Sequence, residues 1–293
     1  MESQKLINVA DFSPEELRKW QMKLLEILVY FRDFCDAHNL RFFLASGTCL
    51  GAVRHGGFIP WDDDVDVQMP RDDYERLIRI WNKEADTTRF VCSVTDENQC
   101  SRFPMATIRS VNTTCIYDHS VNDDICQGLK IDVEFIDGTP KSSFGKKYNK
   151  GVAKMLALLR AERVPARQPL HVKIATKTLL AIFPTHKIRW KVSKLLEKRL
   201  MKFKFDKDVE YVRYLGCSLK PRRCFDDVAY FDFEGYKMPV PIGYDEFLTQ
   251  GYGDYMSLPP EGKRKPVTKN LVFYDLDHSY LDYKGKYYCV NKK

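Results

Sequence analysis

The chain has 293 residues, 44% hydrophobic and 13% aromatic, which excludes global disorder and allows one large domain or two small ones. Its 47 basic and 40 acidic residues leave a net charge of +7, too mild by itself to name a partner. No stretch approaches the roughly 18 apolar residues of a membrane span, and no apolar run follows a basic N-terminus, so a cytoplasmic protein is expected.

"FSPEELRKWQMKLLEILVYFRDFCDAHN" predicts a helix. Ser13 is its N-cap, Pro14 suits the first turn, and Glu16 completes a capping box. Leu17, Trp20, Leu24, Leu25, Leu28, Phe31 and Phe34 form one apolar stripe, and Asn39 is a stop. "RFFLA" (41–45) predicts a short buried strand ending in a tight turn, Ser46-Gly47-Thr48. "TCLGAVRH" predicts a short helix, and "GGFIPW" a loop. "DVDVQM" (64–69) alternates, so Asp64 and Asp66 share one face while Val65 and Val67 share the other. A helix follows in "PRDDYERLIRIWNKEAD", with acids in its first turn. "FVCSV", "MATIRSV", "TCIYD" and "LKIDVEFID" (129–137) predict strands. In the last, Ile131, Val133 and Phe135 share one face, and Asp132, Glu134 and Ile136 the other.

From Lys141 to Lys204 the chain carries 18 Lys/Arg against two acids, Glu162 and Glu197, so this segment is +16 and the remainder −9. "VAKMLALLRAERV" and "VKIATKTLLAIFPTHKIRWKVSKLLEKRLMKFKF" are both helix-like. From about Tyr211 the chain becomes aromatic and turn-rich. The expected organisation is a catalytic core (1–140), a basic helical segment facing membrane or acceptor (141–205), and a C-terminal part completing the substrate site (206–293). The nine cysteines form no CxxC pair, which favours free thiols over zinc ligands.

Chemistry gathers in strand–SGT–helix–loop–DVD. Two carboxylates at i and i+2 lie on one strand face roughly 6–7 Å apart. Bare charge is costly to bury there, and a hard divalent cation such as Mg²⁺, with Mn²⁺ as the alternative, resolves the conflict. Ser46, Gly47 and Thr48 offer N–H groups and hydroxyls at a helix start, a ready phosphate site. Asp132 in "KIDV" would complete the metal cradle, giving the logic of metal-assisted phosphoryl transfer. The competing account is an ordinary solvated acidic turn.

The block "FFLASGTCLGAVRHGGFIPWDDDVDVQMPRDDYERL" resembles the signature of the LicD family of phosphotransferases, which includes the fukutin group. The resemblance extends to "LKIDVEFIDG" and "FEGYKMPVPIGYDEFLTQGYGDYMSLPPEGKR", and is weak through the basic middle. It implies an α/β (α+β) nucleotidyltransferase-like fold: a mixed sheet flanked by helices, here with a basic helical insertion. It implies transfer of a phospho-alcohol, phosphocholine foremost, from a CDP-linked donor such as CDP-choline to a sugar hydroxyl, with CMP leaving. The acceptor would be a cell-surface glycan or its lipid-linked precursor.

By position, Asp64, Asp66 and Asp132 become metal ligands, and Asp132 doubles as the candidate base. Asp62 supports the metal from behind its direct ligands, and Asp63, at a variable position, faces solvent. Gly47 lets the backbone approach phosphates, and Thr48 contributes a hydroxyl. Arg54 pairs with a phosphate or, in a competing reading, with the acidic run. His55 is a plain loop histidine. The resemblance puts Tyr252, Asp254 and Arg264 on a substrate loop. Tyr230, Phe231, Phe233, Tyr252 and Tyr255 are candidate faces for a quaternary ammonium, against the commoner core role.

Two alternatives stand: a nucleotidyltransferase releasing pyrophosphate from an NTP, and a non-enzymatic basic membrane- or nucleic-acid-binding protein. No nucleic-acid reader motif interrupts the basic segment, so no nucleic-acid partner is expected. A solvated helical face is the default for that segment. An anionic surface at the inner face of the membrane fits the apolar "IATKTLLAIF" flanked by basic residues better.

Overall fold

The computed structural model describes residues 6–164, 169–205, 209–213 and 219–290. Helix α1 (Pro14–Ala37) opens on the expected capping box. The Ser13 hydroxyl accepts the Glu16 N–H at 3.2 Å, and the Glu16 carboxylate accepts the Ser13 N–H at 2.8 Å. Its apolar stripe is buried, with Trp20, Leu24, Leu28 and Phe31 at the centre of the core.

Strand β1 (Phe43–Leu44) is only two residues long, and α2 (Ser46–His55) begins directly at Ser46, so the expected tight turn is the helix's first turn. Strand β2 (Asp66–Pro70) runs into α3 (Arg71–Glu84), followed by β3 (Phe90–Ser93), β4 (Ala106–Ser110), β5 (Thr114–Tyr117) and β6 (Lys130–Gly138). Helices α4 (Ser143–Ala161), α5 (Leu170–Ile182) and α6 (His186–Leu200) form the basic segment. The expected second helix of that segment is split: α5 ends ahead of Pro184, which cannot continue a helix interior, and the Thr185 side chain caps α6. Strands β7 (Tyr211–Arg213) and β8 (Lys220–Pro221), the hairpin β9 (Val228–Phe233)–β10 (Tyr236–Pro241), α7 (Tyr244–Tyr252) and β11 (Leu271–Asp275) complete the described chain.

The main sheet runs β1-β2-β6-β4-β3, with β7 added at the end of β6 and β8 beside it. Only β2 and β6 are parallel; the other pairs are antiparallel, giving the mixed sheet that was expected. Val67, Met69, Ile131, Val133 and Phe135 are buried in the core that α1 covers. Among the described residues no helix is long and apolar enough to cross a membrane, and every described cysteine is a free thiol.

The two acids of the basic segment are structural knots. Glu162 receives His186 at 2.6 Å and Arg189 at 2.8 Å. Glu197 is buried between Arg160 (2.6 Å), Lys194 (2.7 Å) and Arg71 (3.1 Å). The same Arg71 forks onto Asp137 at 2.8 and 2.6 Å, with its guanidinium 3.3 Å from the centre of the Phe135 ring. One buried ion network thus ties α3, β6, α4 and α6 together.

Burial pushes the Glu197 carboxyl up, but Arg160, Arg71 and Lys194 outweigh it and hold it at about 2, against an ordinary 4.5. The folded value lies below the unfolded one, so its stabilisation is present above about pH 4.5 and is lost as pH falls toward 2. Glu197→Gln should cost about 3 kcal/mol in denaturant unfolding at pH 7 and flatten the loss between pH 4.5 and 2. Unchanged stability would disprove the knot.

Candidate active site

The parallel register sets Asp66 against Asp132 and Gln68 against Glu134, so all four side chains rise from one face at the join of β2 and β6. Backbone hydrogen bonds fix the approach: Asp132 N–H to Val65 C=O at 2.9 Å and Ala45 N–H to Asp66 C=O at 2.9 Å. The Thr48 hydroxyl accepts the Asp66 N–H at 3.0 Å, so this threonine pins the start of the strand to α2. From α1, Gln21 donates to the Asp62 carbonyl at 2.9 Å and Trp20 to the Asp63 carbonyl at 2.9 Å. The acidic run is therefore held by its backbone at Asp62 and Asp63.

Gly47 lies where the Asp62 carboxylate meets the start of α2. A β-carbon there would stand 2.7 Å from Asp62 Oδ2, closer than real contacts allow. Ser46 before it has φ +45°, a left-handed conformation that costs a non-glycine residue about 1–2 kcal/mol. Such strain at a strand-to-helix corner is a common mark of a functional position.

Asp62, Asp63 and Asp64 each offer an oxygen within 4.8 Å of the others. Asp63 does not face solvent, contrary to expectation. It is buried, and its two oxygens accept the N–H groups of Val267 (3.0 Å) and Thr268 (2.7 Å). Nothing in residue type signals this, because the partners lie more than 200 residues away and are backbone groups.

Burial raises the Asp62, Asp64 and Asp66 carboxyls, and their mutual charge raises them further. Burial also raises Glu134, which Gln68 holds at 2.9 Å. The charge of Lys130 opposes that rise at Asp64 and Asp66, and its Nζ lies 2.6 Å from both oxygens of Asp132. An all-carboxylate set, crowded and short of positive charge, fits a hard divalent cation. Lys130 was missed at first, although its i, i+2 spacing to Asp132 matches that of Asp64 and Asp66.

Beside the acids lies a cavity of about 470 Å³, lined by Gly47, Arg54, Trp61, Asp62, Tyr252 and Asp254 among others. Tyr252 and Asp254 therefore do reach the site. Burial, then the charges of Asp62 and Asp66, raise the Tyr252 hydroxyl. Among the described residues Arg54 forms no ion pair with the acidic run; it donates to the carbonyls of Tyr255 (2.6 Å) and Ser257 (3.2 Å), tethering the loop that follows α7. His55 closes α2 rather than sitting in a loop. Arg264 donates to the Pro259 carbonyl at 2.7 Å and lies 5.8 Å from the Trp61 ring, at the rim. Of the proposed aromatics, Tyr252 and Tyr255 line the cavity, Phe233 is core, Phe231 packs on Tyr244, and Tyr230 is largely exposed. Trp61 was overlooked although it directly precedes the acids.

Neutralising neighbouring acids should have opposite effects. Asp63→Asn places an amide against two N–H donors and should cost about 2 kcal/mol. Asp64→Asn removes a crowded like charge and should raise the stability of the metal-free protein. Denaturant unfolding in chelator measures both, and equal shifts would overturn the division of roles.

Residues 39–137 match the family model described as LicD/FKTN/FKRP, nucleotidyltransferase domain. The chain is 30% identical over 269 residues to the lipopolysaccharide cholinephosphotransferase LicD of Haemophilus influenzae, covering 85% of this chain and 95% of that one. Human ribitol 5-phosphate transferase FKRP is 37% identical over 62 residues, 21% of this chain and 12% of that one. Mannosyltransferase regulator 4 of Saccharomyces cerevisiae is 30% identical over 66 residues, 22% of this chain and 6% of its own length. With both the nucleotidyltransferase signature and a relative matched almost end to end, this chain belongs to the LicD family of phosphotransferases.

Proposed function

We propose that the protein transfers a phospho-alcohol, phosphocholine foremost, from a CDP-linked donor to a sugar hydroxyl of a cell-surface glycan or its lipid-linked precursor, releasing CMP. The observation that carries this reading is the acidic corner, where Asp62 and Asp64 offer oxygens within 4.8 Å of each other and Asp66 stands in register with Asp132, beside a cavity walled by Trp61, Tyr252 and Tyr255. Aromatic faces together with Asp62 and Asp254 suit a quaternary ammonium. The relative's printed name supports choline as the alcohol.

Asp64, Asp66 and Asp132 would hold Mg²⁺, with Mn²⁺ as the alternative and Asp62 beside them. The ion would neutralise charge on the diphosphate as CMP leaves. The acceptor hydroxyl oxygen forms a bond to the phosphorus that carries the alcohol, and the bond from that phosphorus to the CMP oxygen breaks. The acceptor proton passes to a carboxylate, with Asp132, oriented by Lys130, as the candidate. Ser46 and Gly47 present the start of α2 to donor phosphate oxygens, and Gly47 keeps that approach open. Trp61 and Tyr252 would line the alcohol end.

The acceptor side is drawn to an anionic membrane surface. Helix α5 turns Leu170, Ile174 and Ile182 outward, and Lys177 flanks them. Exposed Lys187, Lys191 and Lys198 continue the basic surface along α6. An apolar face bordered by lysines suits shallow insertion among anionic headgroups.

Incubation with Mg²⁺, a panel of CDP-alcohols and a lipid-linked glycan should release CMP, with CDP-choline fastest. Pyrophosphate released from CTP instead would replace this reading with nucleotidyl transfer. Asp64→Asn or Asp66→Asn should lower transfer by about 10³-fold with the fold retained; full activity would sink the assignment. Vesicles containing anionic lipid should co-sediment the protein at low salt and release it at high salt, and Ile174→Asp should abolish this. Absence of salt-sensitive binding would reduce α5 to a solvated face.

A further inference from the structure

A second cavity, of about 580 Å³, opens on the other side of the carboxylates, between the end of α4 and residues 267–270. Val267 borders both cavities, so the segment that Asp63 clasps stands as a rib between them. Lys130 is at once the partner of Asp132 and part of the second cavity's wall, which places this wall next to the reacting centre.

The wall is rich in positive charge. Lys130, Arg109 and Arg163 surround the Phe103 ring at 4.5, 5.2 and 5.3 Å from its centre. Arg109 donates to Thr107 and to the Gly128 carbonyl, and Lys130 holds Asp132. Arg163 has no hydrogen-bond acceptor or ion-pair partner among the described residues, although burial disfavours its charge, as the lowering of its pKa records. Lys269 adds a further cation at the rim.

His119, also in the wall, is pushed down to about 3 by burial and then by Arg163, Arg109, Arg102 and Lys130, so it stays neutral. Its Nε2 is buried and has no partner among the described residues. The remaining lining includes Phe103, Tyr117 and apolar side chains of α4. One acid, Asp118, also lines the wall, but Arg163 has no ion-pair partner among the described residues and Lys269 stands at the exposed rim, so the wall keeps an excess of positive charge that suits an anion, and its flat aromatic faces suit a planar ring. The volume lies within the range of small-ligand sites, roughly 300–1,000 Å³.

We infer that this cavity holds the nucleoside monophosphate end of the donor, its ring against Phe103 and Tyr117 and its phosphate facing Arg163, Lys269 and Lys130. The donor then crosses the rib formed by Val267 and Thr268, and its alcohol lies in the cavity walled by Trp61. The bond that breaks lies near the Lys130–Asp132 pair. This rests on the CDP-alcohol reading above and adds which cavity takes which end.

Calorimetric titration of the full chain with CMP, in Mg²⁺, tests it. Wild type should bind CMP, and inorganic phosphate at least tenfold more weakly. Arg163→Gln should weaken CMP binding at least tenfold, and Lys269→Gln, at an exposed position safe for folding, several-fold. Trp61→Ala should leave CMP affinity unchanged while weakening CDP-choline. If CMP binds wild type and both cation variants equally, the placement is overturned and the donor reading survives. If phosphate binds as tightly as CMP, the role of the aromatic walls is overturned. If wild type binds no CMP, the donor reading falls and the placement with it.

Discussion

Two carboxylates at matched positions on adjacent parallel strands set the terms for everything around them. The register of β2 and β6 fixes Asp66 beside Asp132, and the chain adds Asp62 and Asp64 just ahead of the strand. Such crowding is unfavourable in a partly buried setting. The surrounding structure neutralises little of it: Lys130 answers Asp132, and two backbone N–H groups answer Asp63. The residual demand for positive charge is what makes this corner suited to a divalent cation. Stability is given up locally so that charge can be taken in from outside, a familiar trade at catalytic positions.

The fold carries that local cost through interactions elsewhere. The core beneath β2 and β6 is densely apolar, and α1 grips the backbone of the acidic run through Trp20 and Gln21. At the far end of β6, Arg71, Asp137, Glu197 and Arg160 form the opposite kind of site, with charges matched. One strand thus has mismatched charge at its start and neutralised charge at its end. The basic segment is fastened at the neutralised end, and its many remaining lysines stay on the outside.

Local patterns were legible in the sequence. The α1 capping box, the alternation in "DVDVQM" and the apolar face of "LKIDVEFID" depend on residues a few positions apart, and the structure follows them. The division of roles within "WDDDVD" was only half legible. Alternation indicated that Asp64 and Asp66 share a face, but the destiny of Asp63 depends on backbone N–H groups from a distant segment, which leave no trace in residue type. The carbonyls of Tyr255 and Ser257 that accept from Arg54 were illegible for the same reason. Lys130 and Trp61 were within reach, being two residues and one residue from acids already singled out. Arg163 was hidden among the cations of the basic segment and stands apart only because the fold carries it to Phe103.

The clasp on Asp63 also bears on the order of synthesis. Its carboxylate leaves the ribosome 204 residues before Val267, an interval of about 10–40 s at ordinary elongation rates. During that time the acidic corner lacks both its rib and the loop that Arg54 tethers. A nascent chain in this state presents crowded, unclasped carboxylates to the cell's free divalent cations and to passing chaperones. The clasp on Asp63 therefore forms only after Val267 and Thr268 have been made.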